Sequence, residues 1–319
     1  MRQSLDVDLA GLRLRSPIVA ASGCFGLGRE SAGLVEPQRL GAIVTRSITL
    51  RPEKGSPPPR LAETASGVLS SVGLQNPGID AFIADELPRL ARTGVPLIVS
   101  IAGTRVDECL QIASLLQNAP GLVALELYLG SPDEEHDGEP FHSRPDRAGE
   151  IVGAVARLSR LPVFAKLPAL VPDLVETARW CVRAGAHGLT LIDAIPAMSV
   201  DVARLLPKLA SVVGGLSGPA IHPIAVASVF RVSQAMPDVP IFGVGGVADA
   251  DAAVQLLLAG AWAIQVGTAM LIDPSVPARI TQGILAYLKT KGLAAPADIQ
   301  GRVRVPRPAP NSQEVLRSL

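Results

Sequence analysis

The sequence predicts an α/β protein folded as a closed (β/α)8 barrel of the TIM type. Three observations carry that expectation. Eight short β-branched or apolar runs recur along the chain, several closing on Gly, Ser or Thr. Segments with helical apolar spacing separate most of them. Strands that alternate with helices pair in parallel, because parallel neighbours need a long connection, and near-continuous apolar strands suit a sheet covered on both faces. Eight such units favour the closed barrel over an open doubly wound sheet. The 319 residues fit one barrel domain, expected to span 1–319.

In chain order the strands are "PIVAASG" from Pro17, "GAIVTRSI" from Gly41, "PLIVSIAG" from Pro96 and "LVALELYLG" from Leu122. "PVFAKLP" from Pro162, "GLTLIDA" from Gly188, "PIFGVGGV" from Pro240 and "AIQVGTAM" from Ala263 complete the set. The helices are "IDAFIADELPRLART", "RVDECLQIASLLQN", "RAGEIVGAVARLSR", "LVETARWCVRAG", "IAVASVFRVSQAM", "DADAAVQLLLAG" and "PARITQGILAYLKT". An early "LDVDLAGLRLR" reads as an N-terminal β-hairpin capping the barrel bottom. Barrel enzymes work at the C-terminal ends of their strands, so long loops there mark candidate sites. Three stand out, at 49–75, 131–145 and 195–222.

Composition narrows the function classes. A formal net charge of +0 argues against a general nucleic-acid surface. No apolar run reaches the roughly 18 residues of a membrane span, and the N-terminus lacks the apolar core of a signal peptide. Cys24, Cys109 and Cys181 are far apart, without C-x-x-C spacing, and read as reduced thiols of a cytoplasmic protein. No His or Cys spacing supports a metal site.

The last strands carry "GGLSGPAI", "GVGGV" and "VGT". Glycine permits positive φ and close approach of backbone N–H groups. Such groups and helix N-termini, gathered where barrels commonly hold phosphate, would bind an anion without a basic side chain. Any one of these motifs alone would read as a tight turn. Lys166, ending the fifth strand, is costly inside the barrel unless paired with an anion or a polar cofactor. A rim lysine reaching water is the plainer alternative.

The ordered set "ASGCFG", "GAIVTRSITLRPEKGSPPPRLAETASG", "GLQNPGI", "IAG", "ALEL", "AKLP", "GLTLI", "GGLSGPAI", "GVGG" and "AGAWAIQVGT" resembles the dihydroorotate dehydrogenase family, class 1B type, over nearly the whole chain. That resemblance implies an FMN-binding barrel. By position, Ala21, Ser22 and Gly23 would lie against the flavin, Lys166 would reach its pyrimidine edge, and Gly218, Gly245, Gly246, Gly267 and Thr268 would hold its phosphate. Arg46, Ser100, which replaces an amide, and Ile192 complete the expected cofactor contacts. It further implies a homodimer paired with a second subunit carrying FAD and an iron–sulfur cluster. No G-x-G-x-x-G opens a strand-to-helix unit here, so NAD would not be bound by this chain.

The resemblance also exposes departures. In the family the loop after the fourth strand supplies a catalytic base, a cysteine in class 1, and here Ser131 aligns with it in "YLGSPD". Serine is a weak base without an adjacent activator. Family amides that hold the substrate appear as Ser70, Tyr128, Asp133 and Asp193, and Arg46 stands where lysine is usual; Gly73, Leu74 and Ala194 complete the expected substrate contacts. An ionised carboxylate only accepts hydrogen bonds, and two of them would repel an anionic substrate. A hydrogen-bonding site discriminates by about 10⁴ when partners mismatch.

Three readings follow. The first is an FMN oxidoreductase acting on a CH–CH bond of another small molecule. In the second, dihydroorotate is oxidised for pyrimidine biosynthesis with Ser131 as base and Arg46 on the carboxylate. The third is a flavin-binding scaffold without turnover. A protein without FMN would instead be a phosphate-binding barrel of another class. His136 and His142, together with Glu134, Glu135, Asp137 and Glu139, read as a solvated lid, although the histidines could relay a proton.

Overall fold

The structure, a computed structural model, describes residues 3–28 and 33–305. Its centre is a closed barrel of eight parallel strands, each lying within one of the eight expected runs. They are Ile18–Ala20, Ala42–Val44, Leu97–Ile101, Leu122–Tyr128, Val163–Leu167, Gly188–Leu191, Ile241–Val244 and Ala263–Val266, hydrogen-bonded in chain order and closed between the eighth and the first.

Alternation along these strands sorts residues between two environments. In the fourth strand Leu125 and Leu127 pack outward among the helices, while Ala124 faces the barrel axis. Glu126 and Tyr128 share that inner face by the same two-residue period. The lower interior is apolar. Val19, Val44, Ile98, Phe164 and Phe242 fill it, with the two aromatic rings tilted at a centroid distance of 4.8 Å. Leu9, Leu12 and Leu14 join this cluster from an antiparallel pair, Val7–Leu9 with Leu12–Leu14. The expected hairpin therefore seals the barrel's N-terminal end.

The outer helices follow the expected order. Asp173 caps Leu174–Ala184 and Asp249 caps Ala250–Ala259, each accepting a backbone N–H from the first turn. Segment 79–91 departs from a regular helix: Phe82–Glu86 widens to π-helical pitch between the α-helical Ile79–Ala81 and Leu87–Ala91. Pro88 has no N–H to return to the preceding turn, which favours such an irregularity.

The long loops are more ordered than their composition suggested. Leu61–Thr64, Gly67–Ser70, Gly214–Ser217 and Ile195–Ala197 form a four-stranded antiparallel sheet, with Leu216 opposite Leu69 and Leu216 opposite Ile195. This sheet joins two of the expected site loops and walls one side of the cavity at the barrel's C-terminal face. Among the described residues no helix is long and apolar enough to cross a membrane.

Candidate active site

A cavity of about 910 Å³ opens at the C-terminal ends of the strands. Its floor is polar, because the barrel axis changes character one layer above Phe164 and Phe242. Glu126, 1% exposed, accepts hydrogen bonds from Thr190 Oγ1 at 3.0 Å and Gln265 Nε2 at 2.9 Å, both on Oε2. Lys166 Nζ lies 3.7 Å from its other oxygen and 3.5 Å from Asp193 Oδ1. Burial alone would lower the lysine pKa, but Glu126 and Asp193 outweigh it and hold the ammonium above its ordinary range. Lys166 is thus an inward, paired lysine and not a rim lysine in water.

Above this layer stands Tyr128, beside Lys166 in the strand register. A side chain on Gly130 would meet the Tyr128 hydroxyl at 2.4 Å, so the ring occupies space that only glycine leaves open. The neighbouring Asp193 carboxylate is the main reason the phenol pKa is raised; burial adds to it and Lys166 opposes. Burial likewise pushes the Cys24 thiol up to about 11, against the pull of Lys166.

On the opposite side the glycine segments converge. Gly218, Gly245 and Gly246 have φ of +94°, +132° and +67°. A Cβ on Gly246 would lie 2.7 Å from the Gly218 carbonyl oxygen and 2.8 Å from His222 Cβ, so the turn rests against the first residue of helix His222–Ala235. Thr268 Oγ1 donates to Ser217 Oγ at 2.8 Å and ties the last strand's turn to the same corner. Backbone brought this close without side chains is a cradle for an anionic group.

Most of the expected site residues come together on this one cavity. Ala21, Ser22 and Gly23 line it from the first strand, Arg46 from the second, and Lys166 from the fifth. Ile192, Asp193 and Ala194 follow the sixth strand, and Ser70, Gly73 and Leu74 come from the sheet and its continuation. Tyr128, Gly218, Gly245, Gly246, Gly267 and Thr268 also line it. Arg46 Nη1 donates to the Gln75 carbonyl at 2.9 Å and Arg60 Nη2 to the Gln75 side chain at 2.7 Å. Arg60 follows "SPPP", in which the Pro58–Pro59 bond is cis.

Three expected residues do not reach the wall. Ser100 is fully buried, its Oγ 2.9 Å from that of Ser47, which takes the cavity position instead. Ser131 is 1% exposed and its Oγ has no hydrogen-bond partner. Asp133 turns into its own loop: Arg147 Nη2 at 2.7 Å and His136 Nδ1 at 3.0 Å meet Oδ2, and the Glu135 N–H meets Oδ1. Burial would raise the Asp133 pKa, but these partners hold it below the usual carboxylate range. Its charge is compensated away from the cavity, which removes one of the two repulsions expected from sequence.

The lid expectation also needs correction at His142. Its side chain is half-buried and lines the cavity, with Nδ1 unpartnered and its pKa lowered by burial against the opposing Asp193. Glu126, Thr190 and Gln265 escaped sequence reasoning altogether. The available signal was position: Glu126 lies two residues from Ala124 and Tyr128, on the inward face of an apolar strand.

The profile of the family described as dihydroorotate dehydrogenase matches residues 4–288. The chain belongs to the dihydroorotate dehydrogenase family. It is 41% identical to a protein of Geotalea daltonii over 95% of this chain and 99% of the relative. Identity to one from Pelobacter propionicus is 42%, over 94% and 99%. For one from Desulforudis audaxviator it is 44%, over 92% and 95%. Each relative is named dihydroorotate dehydrogenase B (NAD(+)), catalytic subunit. Within a dihydroorotate dehydrogenase-family barrel, an oxidoreductase scaffold, the polar floor and the glycine cradle face one another across a single cavity.

Proposed function

We propose that this chain is an FMN-dependent oxidoreductase acting on a CH–CH bond of a small molecule other than dihydroorotate. The residues fit FMN. Gly218, Gly245 and Gly246 offer a backbone cradle in which a side chain would collide with backbone or a neighbouring side chain, and Gly267 and Thr268 adjoin it. Ala21, Ser22, Gly23, Ile192 and Lys166 would flank the isoalloxazine, with Arg46 where cofactor and substrate meet. FMN supplies hydride exchange when bound. The protein's own groups bind, orient and move protons.

The observation that carries the substrate reading is which groups face the cavity. Tyr128, Asp193 and His142 stand on its wall, whereas Ser131, the residue at the family's base position, lies off it without an activating partner. Ser70, Gly73, Leu74 and Ala194 bound the remaining substrate space. A second reading, dihydroorotate oxidation with Ser131 as base, is favoured by the names of the relatives and by the compensated charges of Asp133 and Asp193.

The electrons would pass to a separate FAD and iron–sulfur subunit, with Leu170, Leu271 and Ile272 exposed for docking, the first two at the cavity. A homodimer would cover Val202 and Leu205, 81% and 82% exposed in a second apolar patch. The thiols of Cys24, Cys109 and Cys181 are free, in keeping with a reducing cytoplasm.

The protein should purify yellow. Titrated into apoprotein, FMN should bind at least about 100-fold more tightly than riboflavin, since the phosphate engages the cradle. Folded, colourless protein that fails to take up FMN would overturn the cofactor assignment.

A further inference from the structure

The glycine cradle is braced by a side chain that is not part of the cavity wall. We propose that His222 is a positioning residue for FMN: it fixes the Gly245–Gly246 peptide so that the Gly246 N–H is presented to the phosphate, and it thereby strengthens the preference for FMN over riboflavin. This rests on the FMN oxidoreductase reading and deepens it at the phosphate.

His222 opens the helix His222–Ala235, against which the Gly245–Gly246 turn rests. Its Nδ1 lies 2.9 Å from the Gly245 carbonyl oxygen. A carbonyl oxygen only accepts, so Nδ1 carries the proton and donates. In a trans peptide the C=O and the N–H of the next residue point in opposite directions. Holding the Gly245 carbonyl toward the histidine ring therefore turns the Gly246 N–H away from it, on a stretch, 244–248, that lines the cavity. Among the described residues that N–H donates to no backbone acceptor.

A restraint is needed at this point. Gly245 and Gly246 follow one another with φ of +132° and +67°, and two successive glycines leave the peptide between them free to rotate. Backbone contact sets where the turn sits: a Cβ on Gly246 would lie 2.8 Å from His222 Cβ and 3.0 Å from His222 N. That contact does not set which way the peptide faces. The Nδ1–H bond does. The ring's other nitrogen, Nε2, is buried and has no hydrogen-bond partner among the described residues. An unpaired buried nitrogen is unfavourable, so an apolar side chain would suit mere packing better than this imidazole does.

The test titrates apoprotein of wild type, His222→Leu, His222→Gln and His222→Asn with FMN and with riboflavin, followed by flavin fluorescence. Leucine removes the donor, glutamine carries its N–H one bond beyond the Nδ1 position, and asparagine restores an N–H there. His222→Leu and His222→Gln should raise the FMN dissociation constant by about 10-fold, near what one hydrogen bond controls. Riboflavin affinity should stay within about 2-fold throughout, and His222→Asn should hold FMN within about 3-fold of wild type. Should His222→Leu fail to fold, His222→Gln carries the comparison. Equal losses for FMN and riboflavin, wild-type FMN affinity in folded His222→Gln, or no rescue by His222→Asn would overturn the proposal. Inorganic phosphate is the flavin-free probe, read as the rise in melting temperature of apoprotein. It should protect wild type and His222→Asn more than His222→Leu or His222→Gln, and equal or absent protection in all four would overturn the proposal. Wild type that phosphate protects but that takes up no FMN would defeat the cofactor reading separately, with the His222 comparison still read from phosphate.

Discussion

Replacing Lys166 with methionine should lower the stability of the fold by about 3 kcal/mol or more. The ammonium sits between Glu126 and Asp193, and Glu126 is 1% exposed. Removing the cation leaves that carboxylate with two neutral donors, Thr190 and Gln265, and no counter-charge. Breaking a buried pair from one side is far more damaging than never having built it. Lys166→Met combined with Glu126→Gln should therefore recover much of the loss, measured from urea denaturation midpoints. A single variant within about 0.5 kcal/mol of wild type would show that the layer is not held by charge pairing. The folded-state lysine pKa is raised, so its contribution is complete below the unfolded pKa of about 10.4 and fades only as pH climbs through the folded value. At neutral pH the full effect should be seen.

Gly246→Val should abolish tight FMN binding. The residue has φ +67°, a region that β-branched side chains rarely adopt, and its Cβ would press on the Gly218 carbonyl oxygen at 2.7 Å and on His222. The turn can relieve this only by moving away from the two segments it draws together, which opens the cradle. A rise of at least about 100-fold in the FMN dissociation constant is expected, equivalent to about 2.7 kcal/mol. Flavin fluorescence quenching during titration measures it. Wild-type affinity in this variant would place the phosphate elsewhere.

The barrel was legible because each strand is a short apolar run and each intervening helix has its own period, so local pattern and global fold agree. The hairpin at the bottom was legible for the same reason: Leu9, Leu12 and Leu14 sit where strand alternation puts them inside. The four-stranded sheet over the cavity was not. Its strands are three or four residues long, and the pairing of Leu69 with Leu216 joins segments far apart in sequence. No local pattern encodes such a pairing.

Side-chain partnership was the other blind spot. Composition showed an acidic lid but not that Arg147, from the following helix, claims Asp133. It showed two histidines of equal standing, whereas His142 turns into the cavity and His136 joins the Asp133 pair. By sequence Tyr128 was only a residue standing where the family has an amide. Set between Gly130 and Asp193, it has a chemical position as well as a volume.

The most direct test is anaerobic mixing of the oxidised, FMN-loaded protein with dihydroorotate in a stopped-flow spectrometer, followed at the flavin absorbance. With Ser131 off the cavity wall and its hydroxyl unactivated, the expected trace is flat over the time of many turnovers. Rapid bleaching of the flavin would contradict the proposed change of substrate and make this chain a working dihydroorotate dehydrogenase.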